Sequence, residues 1–100
     1  MYVIIWEFVV RSEKICEFVS AYRADGDWAK LFKLSAGYIG TELLAADGNA
    51  TRFVTVDRWK TEYDFLRFQQ VFGQQYKLVD SQLEGLVVEE TKLGVFTTLA

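Results

Sequence analysis

The sequence predicts an α+β sandwich, a four-stranded antiparallel sheet with its helices on one face. Three observations predict it. Hydrophobic spacing switches between a period of two and a period of three to four, in the order strand, helix, short helix, strand, strand, helix, strand. Asp47-Gly48-Asn49 sits between two apolar runs and tolerates positive φ, as a tight hairpin requires. The opening run MYVIIWEFVV is apolar on both alternating faces, as in a strand covered on both sides.

Tyr2 to Val10 is rich in β-branched and aromatic residues and reads as the first strand. Tyr2, Ile4, Trp6, Phe8 and Val10 share one face; Val3, Ile5, Glu7 and Val9 share the other. Ser12 is the expected N-cap of a helix whose buried stripe is Ile15, Phe18, Val19 and Tyr22. Asp25-Gly26 ends that helix. Asp27 is expected to cap a short one carrying Trp28, Leu31 and Phe32. Tyr38 to Ala46 and Arg52 to Trp59 flank the hairpin turn as strands, the first with Tyr38, Gly40, Glu42 and Leu44 on one face and Ile39, Thr41 and Leu43 on the other. On the second of these, Phe53, Thr55, Asp57 and Trp59 face one way and Val54, Val56 and Arg58 the other. Thr61 and Asp64 resemble a capping box ahead of a long stripe of Phe65, Phe68, Phe72, Tyr76, Val79 and Leu83. Gly73 inside that stripe marks a candidate break. Gly85 ends the helix, and Leu86 to Leu93 is the last strand. The order is the split βαβ pattern of a ferredoxin-like sandwich formed as one domain by residues 1–100. Helices on one face leave the other bare. With the first strand apolar on both sides, the bare face is expected to pack on a second copy as a homodimer. The apolar tail from Leu93 to Ala100 is expected to cross onto that partner.

Composition excludes several functions. There is no His among the 100 residues, which removes Ser-His-Asp and Cys-His catalysis, His metal sites and a His-ligated haem. The net charge of −3 and the scattered Lys and Arg argue against nucleic acid as a partner. No apolar run approaches a membrane span, and the N-terminus lacks a basic region before its apolar run, so a cytoplasmic location is expected. The lone Cys16 lies beside a helical stripe and is expected to be a small buried hydrophobe.

The segments VIIWEFVVRSEKICEFVSAY, AGYIGTELL and FVTVDRWKTEYDFLRF resemble the antibiotic-biosynthesis-monooxygenase-like family of dimeric α+β barrels. The stretch DGDWAKLFKLSAGYIGTELL looks like a bacterial branch of it. The resemblance implies a pocket between sheet and helices and a monooxygenase that needs no cofactor or metal. An electron-rich aromatic, phenolic or quinol-type substrate is deprotonated, and its carbanion reduces O2. Haem-cleaving members carry a His ligand on the long helix. This chain has none, and only Tyr76 lies in that region.

The candidate catalytic residues are Arg58 as anion stabiliser, Tyr76 as substrate hydrogen-bond partner and Glu7 as base. Arg58 stays charged when partly buried, and desolvation would make Glu7 a better base. The alternative for both is a structural ion pair, Arg58 with Glu7 or Glu42, or Glu7 with Arg52. Trp28, Phe32, Phe68 and Phe72 are the candidate substrate-binding residues, with plain core packing as the alternative. Two other functions stay open on the same fold: a non-catalytic dimer that binds a small ligand or protein, and an isomerase or lyase acting on a small acid.

Overall fold

β1 (Tyr2–Val10) and β3 (Arg52–Trp59) pair antiparallel along their whole length, with Ile4 opposite Asp57 and Trp6 opposite Thr55. β2 (Tyr38–Ala45) adds to β3, and β4 (Val87–Thr97) adds to β1. The sheet order is therefore β2-β3-β1-β4, antiparallel throughout. A computed structural model describes residues 1–99. The strand with two apolar faces lies at an interior position of the sheet, where both faces can be covered.

α1 (Ile15–Tyr22), α2 (Asp27–Phe32) and α3 (Glu62–Gln82) carry the apolar stripes that face the sheet. Two core clusters result. One gathers Ile4, Trp28, Leu31, Phe32, Trp59 and Phe68; the other gathers Phe8, Val10, Phe18 and Phe53. Trp6 packs against both. Among the described residues no helix is long and apolar enough to cross a membrane.

Local signals hold at some helix ends and fail at others. The Asp64 N–H donates to Thr61 Oγ1 at 3.1 Å, and the Thr61 hydroxyl donates to Asp64 Oδ2 at 2.8 Å. Thr61→Ala is expected to cost about 1 kcal/mol. That loss lowers the melting temperature of a domain this size by about 4–8 °C, readable by circular dichroism. Ser12 makes no backbone cap. The chain leaving β1 first forms a single 3₁₀ turn at Ser12–Lys14, with the Lys14 N–H on the Arg11 carbonyl at 2.8 Å, and α1 starts only at Ile15. Asp27 is the first residue of α2 rather than its cap, and Gly26 takes the cap position. A Cβ at Gly26 would lie 2.5 Å from the Ala21 carbonyl oxygen, so the close turn from α1 into α2 admits only glycine. Gly48, at φ 75°, closes the hairpin as expected. The bend in α3 falls at Phe72, whose φ of −113° and ψ of 21° leave the helical region one residue before Gly73.

Three expectations are corrected. Cys16 is exposed. It lies roughly 200° around the helix from Phe18, which points into the core. β2 carries an irregularity at Ile39, so Tyr38 and Thr41 lie opposite Trp59 and Asp57 on one face, whereas simple alternation separates them. The tail does not leave the molecule between Leu93 and Thr97. β4 continues through Thr97, and Phe96 lies opposite Val3 and Thr97 opposite Tyr2. β1 offers an edge of backbone donors and acceptors there, and pairing satisfies them within the chain. Ala100 lies outside the described residues.

Candidate functional site

The two core clusters do not meet completely. Between the sheet and the helices they leave a cavity of about 140 Å³. Ile4, Trp6 and Phe8 from β1 line it, with Trp28 and Phe32 from α2, Trp59 from the end of β3 and Phe65 from α3. All three tryptophans of the chain therefore face this one space. Strand alternation then inserts polar groups among them. Thr55 and Asp57 follow Phe53 on the helix-facing side of β3, and the β2 irregularity brings Thr41 opposite Asp57. On α3, Phe65, Gln69, Tyr76 and Asp80 recur at helical spacing and line the opposite wall. Glu90 and Lys92 reach the cavity from β4, on the face of Phe8 and Trp6.

Asp57 is the partly buried carboxylate of this space, where Asp80 and Glu90 are exposed. Its Oδ1 accepts the Thr41 hydroxyl proton at 2.6 Å. A threonine hydroxyl carries one hydrogen, so the contact of 2.5 Å between Tyr38 and Thr41 has the tyrosine as donor. The chain Tyr38 to Thr41 to Asp57 is thus polarised toward the carboxylate. Burial pushes the Asp57 carboxyl up to about 6, against a smaller lowering by Thr41. The Tyr76 hydroxyl is raised by burial, then by the nearby Asp80, Glu90 and Asp57 carboxylates. Burial also pushes Tyr22 up to about 12; the Trp28 indole lowers it, while Glu90 and Asp80 add to the rise. Glu90 is raised by burial and by Asp80. A carboxylate titrating near neutrality beside tyrosines that stay protonated can take a proton and then hold the resulting anion.

The structure divides the sequence candidates. Trp28, Phe32 and Tyr76 line the cavity together, and the Trp28 and Tyr76 rings lie 4.9 Å apart. Phe68 and Phe72 do not line it. Phe68 is buried behind the wall, 5.3 Å from Trp59, and Phe72 stacks on Phe68 at 5.7 Å. The cavity meets one edge of the α3 stripe, where Phe65 and Tyr76 stand beside Gln69 and Asp80. Glu7 and Arg58 lie on the opposite face of the sheet. Arg52 donates to Glu7, and Arg58 donates to Glu42, so both candidates are held in ion pairs away from the cavity. The parity of their strands places them there: Ile4 and Trp6 on β1, and Asp57 and Trp59 on β3, point at the helices. The sequence candidates do not include Asp57. Its signal was present in the alternation Phe53, Thr55, Asp57, Trp59, a lone carboxylate on an otherwise uncharged face.

The profile of the antibiotic biosynthesis monooxygenase family matches residues 1–71. No curated protein matches the chain by sequence. Solved structures share its fold. A Nitrosomonas europaea protein named for the same family superposes with a TM-score of 0.75 at 21 % identity, covering 100 % of both chains. SnoaB, a cofactor-independent oxygenase from Streptomyces nogalater, superposes with a TM-score of 0.70 at 19 % identity, covering 99 % of this chain and 93 % of its own. A Deinococcus radiodurans protein, also named for the family, reaches a TM-score of 0.77 at 10 % identity, covering 100 % of this chain and 94 % of its own. These likenesses establish the fold, and the profile match over most of the chain establishes the kinship: the chain belongs to the antibiotic biosynthesis monooxygenase family.

Proposed function

We propose that this protein is a cofactor-independent monooxygenase acting on a small phenolic or quinol-type aromatic. One observation carries the reading: an aromatic-walled cavity that contains one partly buried carboxylate, Asp57, whose pKa burial raises to about 6. Asp57 accepts the proton of the substrate hydroxyl. The electron pair delocalises onto a ring carbon, which reduces O2 and forms a C–O bond, giving a hydroperoxide. Loss of water then leaves a quinone carbonyl. A phenol plus O2 becomes a quinone plus water, with the substrate as reductant and one oxygen atom in each product. Tyr76 donates to the developing anion, and Trp28 and Phe32 hold the ring and exclude water. The convergence of Asp57, Thr41, Thr55 and Tyr76 on one space, with the Asp57 pKa raised to about 6, supports an enzyme over a passive binder.

The outer sheet face suits a second copy of the chain. Ile5, Val9, Val54 and the exposed Leu44 and Phe96 form an apolar strip there, and its charged residues are neutralised in pairs by Arg52 with Glu7 and Arg58 with Glu42.

The test is aerobic O2 uptake with a panel of hydroquinones and polyphenols. The wild type is expected to turn over at least one of them. Tyr76→Phe is expected to lower kcat/KM by about 10- to 100-fold, the worth of one hydrogen bond to an anion. No uptake across the panel would overturn the oxygenase. An unchanged Tyr76→Phe would remove that residue from the site.

A further inference from the structure

We propose that the cavity selects a single-ring phenol that is uncharged or carries a protonated amine, and discriminates against phenols bearing a carboxylate and against fused polycyclic phenols. The proposal rests on the reading of this cavity as the substrate site.

Size is the first argument. A volume of about 140 Å³ matches one aromatic ring, as an apolar cavity of about 150 Å³ takes benzene, and further fused rings would project past it to the solvent side. The walls that set this volume do not yield easily. Trp59 is fully buried, and Thr55 and Trp28 are buried with it. Packed interiors of this kind resist displacement.

Charge is the second argument. Asp57 lies inside, and the exposed carboxylates of Asp80 and Glu90 stand at the solvent side. Lys92 is the single cation among the lining residues. The two arginines nearest in the sheet, Arg52 and Arg58, are on the other face and already paired. A carboxylate-bearing ligand would therefore enter a space with three acidic groups against one basic group. A low-dielectric wall strengthens that repulsion. A protonated amine on the same ring meets the opposite field.

Hydrogen bonding is the third. Thr41 occupies Asp57 Oδ1, and Oδ2 has no hydrogen-bond partner among the described residues. A ligand hydroxyl is the donor that this free oxygen fits. The polarised Tyr38–Thr41 pair prevents Asp57 from turning Oδ1 toward the ligand instead, which makes those two positioning residues.

The test is equilibrium binding without O2, read by calorimetry and by tryptophan emission, since all three tryptophans line the cavity. The probes are hydroquinone, tyramine, para-hydroxyphenylacetate and dihydroxyanthrone. Tyramine is expected to bind at least about tenfold tighter than para-hydroxyphenylacetate, and hydroquinone tighter than dihydroxyanthrone. The Asp80→Asn, Glu90→Gln double variant changes only exposed side chains, and it is expected to shrink the tyramine preference to within about threefold. Molar salt should shrink it likewise. Equal or tighter binding of the acid, tighter binding of the anthrone, or no binding of any single-ring probe would overturn the proposal. The outcomes separate from the oxygenase reading. The expected binding pattern with no O2 uptake removes the oxygenase and leaves the site. Uptake confined to the polycyclic probe does the reverse.

Discussion

Asp57→Asn is expected to lower kcat by about 100- to 10,000-fold, the usual worth of a positioned general base, and to stabilise the fold at neutral pH at the same time. Both effects follow from one partly buried carboxyl. Its pKa rises from 3.8 in the unfolded chain to about 6 in the fold. The folded state thus holds the proton more tightly than the unfolded state does. That preference stabilises the protein fully below pH 3.8 and is lost as the pH rises through about 6. Above that pH the partly buried charge remains as a penalty of at most about 3 kcal/mol. Asparagine keeps an oxygen for the Thr41 hydroxyl and carries no charge. Melting curves of wild type and variant should therefore nearly coincide at pH 4 and separate by pH 7, with the variant higher. The wild-type rate profile should show an acid limb near pH 6 that the variant lacks. Glu90 is also raised, and Asp80, Tyr76 and Lys92 share the cavity, so Glu90→Gln is the control; it should retain the limb. A variant with wild-type kcat and the same limb would remove Asp57 from the chemistry.

Trp59→Ala is expected to cost about 3–5 kcal/mol, read as a fall in the urea midpoint. Trp59 is the fully buried centre of an aromatic cluster, 5.6 Å from Phe32, 5.3 Å from Tyr38 and Phe68 and 5.4 Å from Phe65. Its loss opens a void that rings on β2, α2 and α3 cannot jointly fill. Small domains have about 5–15 kcal/mol in all, so this one change takes a large share. Trp59→Phe should cost much less. It keeps a ring in place and removes an indole N–H that is buried without a partner among the described residues. A loss below about 1 kcal/mol for Trp59→Ala would mean that the cluster repacks.

Much of the fold was legible because its signals are local. The bounds of β1 and β3 follow from runs of β-branched and aromatic residues, the hairpin from Asp47-Gly48-Asn49, and the start of α3 from Thr61 and Asp64. The site was less legible. Glu7 and Arg58 stand out as charges among apolar residues, but both faces of β1 are apolar, so parity alone does not say which face the helices cover. Phe68 and Phe72 belong to the same α3 stripe as Phe65 and Tyr76, yet the cavity meets only one edge of that stripe, through Phe65, Gln69 and Tyr76. The meeting of Thr41 with Asp57 depends on the irregularity at Ile39, which shifts β2 by one residue; its mark in the sequence is the adjoining Gly40, which suggests a bulge without fixing the register.

By itself, the sequence determined the element order, the family pattern and the exclusion of His-dependent chemistry, because periodicity, turn residues and composition act over a few positions. Only the tertiary structure decided that Asp57, the three tryptophans and Tyr76 share one space while Glu7 and Arg58 are paired on the far side. The reason is that a cavity belongs to no single element. It is the gap left where two core clusters, drawn from both layers, fail to close.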